Sequence, residues 1–217
     1  MKSNESLQKD VQDAIKYEPL LNAAEIGVTA KDGIITLTGT VNTYAKKLEA
    51  EEATKKTNGV KAVIENIIVH FGEETRKSDI EIASDALSVL RWNWEVTSKD
   101  VKVKVEDGWV TLYGELSWNF QKDAAEKSVR NLTGLKGLSN NITIKSNQKD
   151  SVEQKDIERA ISNNWSIGDR YISVAVADSN VTLSGSVKSI FEKEEAGRIA
   201  WNARGVFTVD NNLVVEY

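Results

Sequence analysis

The chain has no cysteine, one proline, one histidine and one methionine among 217 residues. The missing cysteine excludes disulfides and thiolate chemistry, and it leaves the redox compartment open. With one histidine and no cysteine, the usual zinc or transition-metal ligand sets cannot be assembled. The same shortage leaves any serine nucleophile without a positioned base. Long apolar runs are missing too, and no stretch approaches the ~20 residues of a membrane span. The polar segment Met1 to Asp10 does not read as a signal peptide. The sequence as it stands therefore points to the cytoplasm, and to the periplasm if a signal sequence has been removed. A basic excess is also absent. The formal net charge is −5. Residues 1–72 hold 9 basic and 10 acidic groups, residues 73–146 hold 11 and 12, and residues 147–217 hold 8 and 11. No third carries the footprint of a nucleic-acid binder. There is no phosphate-cradling glycine loop. Nothing here assembles a catalytic site, no cofactor is expected, and the chain reads as no enzyme.

What is present is a tetrapeptide used three times: Thr36-Leu37-Thr38-Gly39, Thr111-Leu112-Tyr113-Gly114 and Thr182-Leu183-Ser184-Gly185. In each case a second glycine follows 20 residues later, at Gly59, Gly134 and Gly205. Asn66, Asn141 and Asn212 stand 7 residues beyond those. Asp10, Asp85 and Asp156 hold one matching position upstream. One unit of about 65 residues is thus repeated, with domains expected at 1–72, 73–146 and 147–217. Units this small gain from supporting one another through shared surfaces.

Each unit carries the same local signals. A helical stripe opens it, with Leu7, Val11 and Ile15 as the first example. Pro19 ends that first helix. Alternating runs such as Val101, Val103 and Val105 predict strands with one buried face. Asp32-Gly33 and Asp107-Gly108 between such runs predict hairpins, and Asp178-Ser179 predicts a different turn. Gly39, Gly114 and Gly185 fall on the core face of the second strand, where close approach of a helix backbone is the expected reason. Ala50, Ala125 and Ala196 on the second helix fit that docking. Gly59 and Gly134 read as left-handed helix caps. A last strand follows, parallel to the second. The fold class is α+β: three tandem αββαβ two-layer domains, each a three-stranded mixed sheet with two helices on one face.

These residues resemble the BON domain, the module of osmotically inducible periplasmic and nodulation proteins. The likeness rests on Thr-Leu-x-Gly, the alanine-bearing helix, and Gly-Val/Leu followed by Asn-Ile/Leu, and it spans nearly the whole chain. The resemblance implies a non-enzymatic module tied to envelope stress, phospholipid membrane surfaces and protection of client proteins. It also implies an alternative, a small-ligand or monovalent-ion (potassium) site between units. A purely structural interaction module is the third class.

Candidate contact residues cluster in the middle unit. Trp109 and Tyr113 share the sheet face opposite Val110 and Leu112, with Lys102 and Lys104 on the neighbouring strand. Trp92, Trp94 and Trp118 complete the set. Aromatic rings on an open face mark contacts, either with an outside partner or with another unit of the same chain. His70 is expected in solvent. The runs Glu49-Glu51-Glu52 and Glu192-Glu194-Glu195 are expected to be solvated helix faces.

Overall fold

The structure is a computed structural model and describes residues 2–72, 76–96, 99–144, 152, 154–167 and 171–216. The boundaries expected near 73 and 147, and Tyr217, fall at or outside the edges of the described residues. The first repeat contains α1 (Asn4–Tyr17), β1 (Ile26–Lys31), β2 (Ile34–Val41), α2 (Tyr44–Lys56) and β3 (Ala62–Val69). The second contains α3 (Asp79–Trp92), β4 (Val101–Glu106), β5 (Trp109–Leu116), α4 (Asn119–Val129) and β6 (Gly137–Ile144). The third contains α5 (Gln154–Ser162), β7 (Ile172–Ala177), β8 (Asn180–Val187), α6 (Ile190–Trp201), β9 (Thr208–Asn211) and β10 (Val214–Val215). Each repeat builds one mixed sheet with its second strand in the middle. In the second repeat β4 pairs antiparallel with β5, and β6 runs parallel to β5. The last strand of the third repeat departs from expectation by being split. Asn212 and Leu213 separate β9 from β10, yet both pieces run parallel to β8. The Asn212 and Glu216 amides still donate to Leu183 and Val187 carbonyls at 2.9 and 2.8 Å.

Local chemistry explains the hairpins. Asp32 and Asp107 adopt φ of +52° and +50°, followed by glycines at +86° and +78°. That pair of left-handed residues is the turn whose twist matches the strands. Asp178 keeps φ +55° before Ser179. The first helix ties the turn down. Asn4 Oδ1 accepts the Asp32 amide at 2.9 Å, and the Asp79 carboxylate accepts the Asp107 and Gly108 amides at 2.8 and 2.9 Å. From the other side Lys61, Lys136 and Phe207 donate their amides to the carbonyls of Gly33, Gly108 and Ser179 at 2.8–2.9 Å. Each donor lies two residues past a left-handed glycine, and Gly59, Gly134 and Gly205 sit at φ +100°, +90° and +79°. Gly59 and Gly134 do not cap their helices as expected: α2 and α4 end at Lys56 and Val129, and the Gly-Val/Leu-x step is a separate left-handed turn joined to the hairpin tip.

The reason for Gly39 and Gly114 differs from the one expected. They adopt φ +137° and +142°, a region L side chains rarely enter. A Cβ on either would overlap the Glu25 or Asp100 carbonyl oxygen, at the entrance to the paired first strand. Gly185 is looser, with 2.7 Å to the Tyr171 carbonyl. The close neighbour is thus a strand backbone, not the second helix. Ala50, Ala125 and Ala196 are fully buried all the same. Leu37, Leu112 and Leu183 have no exposed surface and sit at the centre of each core.

By contact density the chain forms two compact units. One comprises Met1–Gly39, Glu49–Ile67 and Gln148–Tyr217; the other comprises Thr40–Leu48 and Ile68–Asn147. Within the first unit the first and third repeats are joined. The Gly59 amide donates to the Lys188 carbonyl at 3.1 Å, and Lys56 Nζ lies 5.8 Å from the Phe191 ring centre. Lys55 reaches Glu194 at 2.9 Å and Glu51 at 3.0 Å. The acidic runs are accordingly not plain solvated faces. Glu192 is buried and accepts the Lys188 amide at 2.8 Å, and Glu195 holds Arg198. Burial pulls the Lys55 pKa down, but the hydrogen bonds and charges of Glu194 and Glu51 outweigh it and leave it raised. A raised lysine pKa stabilises the fold while the group is protonated, and the gain is lost as pH climbs through the raised value. Lys55→Met and Glu194→Gln in a double-mutant cycle are expected to show a coupling of about 0.5–1 kcal/mol at neutral pH. The coupling should shrink once the pH passes the ordinary lysine value of 10.5. A coupling unchanged by pH in urea melts would rule out the charge as its source.

Candidate contact surfaces

The second repeat shows how sheet register places the aromatic residues. Trp109 faces Glu106 on β4 and Gly137 on β6, while Tyr113 faces Lys102 and Asn141. Trp109, Tyr113 and Lys102 therefore share the outer sheet face, as expected. The Trp109 ring lies on Gly137, whose missing side chain leaves room for it. Its Nε1 donates to Ser139 Oγ at 3.0 Å. Such a ring over a strand glycine shields the backbone and fixes register. Trp109 and Tyr113 remain 47% and 39% exposed. Lys104 is drawn to Glu106 at 2.7 Å, which lifts its pKa and neutralises its charge locally. The basic element of this face is thus Lys102.

The other tryptophans lie elsewhere. Trp118 is half-buried at the start of α4, where its amide donates to Gln121 Oε1 at 3.2 Å. Trp92 and Trp94 sit at the C-terminal end of α3, whose N-terminal Asp79 holds the hairpin tip beside Trp109. A 14-residue helix separates the two ends by about 20 Å. The seven candidate residues hence divide among an outer sheet face, the C-terminal end of α3 with the loop after it and, for Trp118, the start of α4.

That loop tip recurs. From the last residue of the first helix to the start of the first strand stand Tyr17 in the first repeat, Trp92 and Trp94 in the second, and Trp165 and Tyr171 in the third. All five are 85–92% exposed. Leu20 joins Tyr17 at 61%. Sequence reasoning selected two of these rings and passed over the other three. The available signal was position: Pro19, Trp94 and Trp165 align across the repeats. Among the described residues no group of histidine and carboxylate side chains has the arrangement of a metal site. No described helix is long and apolar enough to cross a membrane.

Asn66, Asn141 and Asn212 are exposed. The residue before each does the bonding. Asn140 Nδ2 donates to the Lys122 carbonyl at 3.1 Å, and Asn211 Nδ2 to the Lys193 carbonyl at 2.6 Å. Their Oδ1 atoms accept the Ile142 and Leu213 amides at 3.3 and 3.4 Å, and Glu65 does the same for Ile67 at 2.6 Å. The aspartates at the matching upstream position form ion pairs, Asp10 with Lys2 at 2.6 Å and Asp85 with Lys77. His70 is exposed and its amide donates to the Val41 carbonyl at 2.8 Å.

Fold and surfaces together define a tandem-repeat α+β protein whose exposed aromatic tips recur in every repeat. The BON domain family model matches residues 3–70, 78–146 and 149–217, and the chain belongs to that family. It is 27% identical to Osmotically-inducible protein Y of Escherichia coli (strain K12) over 139 residues, 62% of this chain and 69% of that protein. Two solved structures of CdsD, a structural protein of the type III secretion system of Chlamydia trachomatis, also align, the second being its C-terminal domain. They are 18% identical, cover 97% and 100% of this chain and 92% and 100% of those, and have TM-scores of 0.27 and 0.26. That likeness is too low to bear on the fold.

Proposed function

We propose that the protein is a non-catalytic module that docks on phospholipid surfaces through the aromatic tips between the first helix and first strand of its repeats. The observation that carries this reading is the exposure of Tyr17, Trp92, Trp94, Trp165 and Tyr171, at 85–92%. Rings so placed contribute nothing to a core, and each leaves apolar surface in water. Tryptophan and tyrosine suit the headgroup layer, where an apolar body and a polar edge are both satisfied. A role in osmotic stress is supported by the likeness to a relative named as osmotically inducible. A second reading, contact with client proteins, is favoured by the outer face that carries Trp109, Tyr113 and Lys102.

Trp92→Ala with Trp94→Ala is expected to weaken co-flotation with phosphatidylglycerol-containing vesicles by at least about tenfold, since burying such rings in an interface contributes over 1 kcal/mol. The urea midpoint should move by less than about 0.5 kcal/mol, as for other exposed sites. Full flotation by the double variant would sink the lipid reading. Flotation lost only in a Trp109→Ala, Tyr113→Ala variant would move the contact to the sheet face.

A further inference from the structure

In each repeat one side chain just past the first helix reaches across to the second helix. Glu18, Asn93 and Asn164 stand 21 residues before Gly39, Gly114 and Gly185, and Glu49, Ala124 and Glu195 stand 10 residues after those glycines. In the third repeat Asn164 Nδ2 donates to Glu195 Oε1 at 3.0 Å. In the second, Asn93 Nδ2 donates to Ser128 Oγ at 2.8 Å and to the Ala124 carbonyl at 3.4 Å. The position thus ties the end of the first helix to the second. The first repeat replaces the amide with an acid. There the Glu18 carboxyl lies within hydrogen-bonding reach of the Glu49 carboxyl, and both residues are half-buried.

The surroundings of the second-helix acid change as well. Arg198 holds Glu195 at 2.6 Å in the third repeat, and the residue matching Arg198 beside Glu49 is Glu52. An amide and a guanidinium have become two carboxyl groups. Glu49 meets Glu18 from the end of α1, and Glu52 and Lys56 from its own helix. Burial comes first among the causes that raise the Glu49 pKa, followed by the charges of Glu18 and Glu52; Lys56 offsets them only in part. Two ionised carboxylates in contact have no hydrogen to donate, whereas one proton between them makes a strong charge-assisted bond.

Glu18 also positions the tip of the first repeat. Its amide donates to the Ile15 carbonyl at 3.2 Å, and its carbonyl accepts the Leu21 amide at 3.0 Å. Exposed Tyr17 and Leu20 stand on either side of it. We propose that Glu18 and Glu49 form a proton-operated latch on this tip. Closed, one carboxyl donates its proton to the other carboxylate and clamps the turn from Glu18 to Leu21 against α2. Open, the proton has passed to water, the two carboxylates repel, and the turn loosens. Asn93 and Asn164 donate amide hydrogens, so their ties need no shared proton. An acid held above its ordinary pKa stabilises the fold while protonated. The latch therefore contributes at acid pH, and its contribution is lost as the pH rises from 4.5 through the raised value. In the lipid reading the latch sets how firmly one docking tip is held, but the latch does not rest on that reading.

The test uses the full chain with isotope-labelled glutamate. Carboxyl carbon shifts are followed against pH, and the Glu18 and Glu49 signals are assigned by their loss in Glu18→Gln and Glu49→Gln. Glu49 should titrate above the ordinary glutamate value. In Glu18→Asn, which copies the other two repeats, its midpoint should fall, because an amide donor favours the carboxylate. Amide exchange at Glu18 and Leu21 reads the turn itself. Their protection factors should drop at least about threefold across the Glu49 titration in the parent chain. They should stay level in Glu18→Asn and in Glu49→Gln, each of which supplies an amide donor at every pH. A Glu49 midpoint at or below the ordinary value overturns the proposal. So does a midpoint that Glu18→Asn leaves in place, since burial and Glu52 then account for it without Glu18. Protection that ignores pH in the parent, or that keeps its pH step in either variant, overturns it too. No vesicle enters these measurements, so the latch and the lipid reading fail separately.

Discussion

Gly114→Ala is expected to unfold the middle repeat. Two costs add. The backbone there holds φ +142°, and a side-chain-bearing residue in so sparse a region costs about 1–3 kcal/mol. The new Cβ also overlaps the Asp100 carbonyl oxygen, so β4 must shift away from β5 and disturb its pairing. A domain of this size is stable by roughly 3–10 kcal/mol, and a loss above about 4 kcal/mol reaches the lower part of that range. Gly39→Ala should behave alike, because Glu25 stands in the same place. Gly185→Ala should cost less, since its Cβ would lie 2.7 Å from the Tyr171 oxygen and a modest shift relieves it. Urea melts followed by far-ultraviolet circular dichroism would rank the three. A Gly114→Ala protein within about 1 kcal/mol of the parent would refute the account.

Leu112→Ala is the second large effect, at about 2–5 kcal/mol. The side chain has no exposed surface, and its residue sits mid-sheet between Val103 of β4 and Asn140 of β6. Truncation leaves a cavity that the flanking strands cannot close without breaking their register. Leu37 and Leu183 are equally enclosed and should give similar losses. A loss under about 1 kcal/mol at Leu112 would mean that the core relaxes freely around the gap.

The repeat, its element order and its turns were legible in the residues because each is written locally. Asp-Gly sets its own backbone, and alternation shows which side of a strand is dry; the glycine seven residues before an asparagine marks a left-handed turn, not the helix end expected of it. What lay hidden depends on contacts between distant segments. The glycine of Thr-Leu-x-Gly was rightly placed on the core side, but its true neighbour is a carbonyl on the preceding strand, which no periodicity reports. The conserving role across repeats fell to the position before Asn66, Asn141 and Asn212. It is filled by Glu65, Asn140 and Asn211, a change of residue type that disguises it. Burial of Glu192 and the pairing of Lys55 with Glu194 join residues of different repeats or of a helix cap, and acidic runs on a helix read as solvent-facing without that knowledge. The candidate contact surface was half visible. Trp109 and Tyr113 share a face as counted along the strand. Trp165 was open to detection through its alignment with Trp94, whereas Tyr17 and Tyr171 were missed because exposure at a loop tip leaves no pattern along the chain.

The bond from Gly59 to the Lys188 carbonyl has a consequence in time. During synthesis the partner of Gly59 does not exist when the first repeat leaves the ribosome. About 130 residues separate the two, which at roughly 5–20 residues per second is a wait of about 6–26 s. For that interval the C-terminal end of α2, with Lys55 and Lys56, is a half-finished surface whose acidic and aromatic partners are still to be made. The first repeat must hold itself together alone, or borrow a helper, until the last third of the chain arrives.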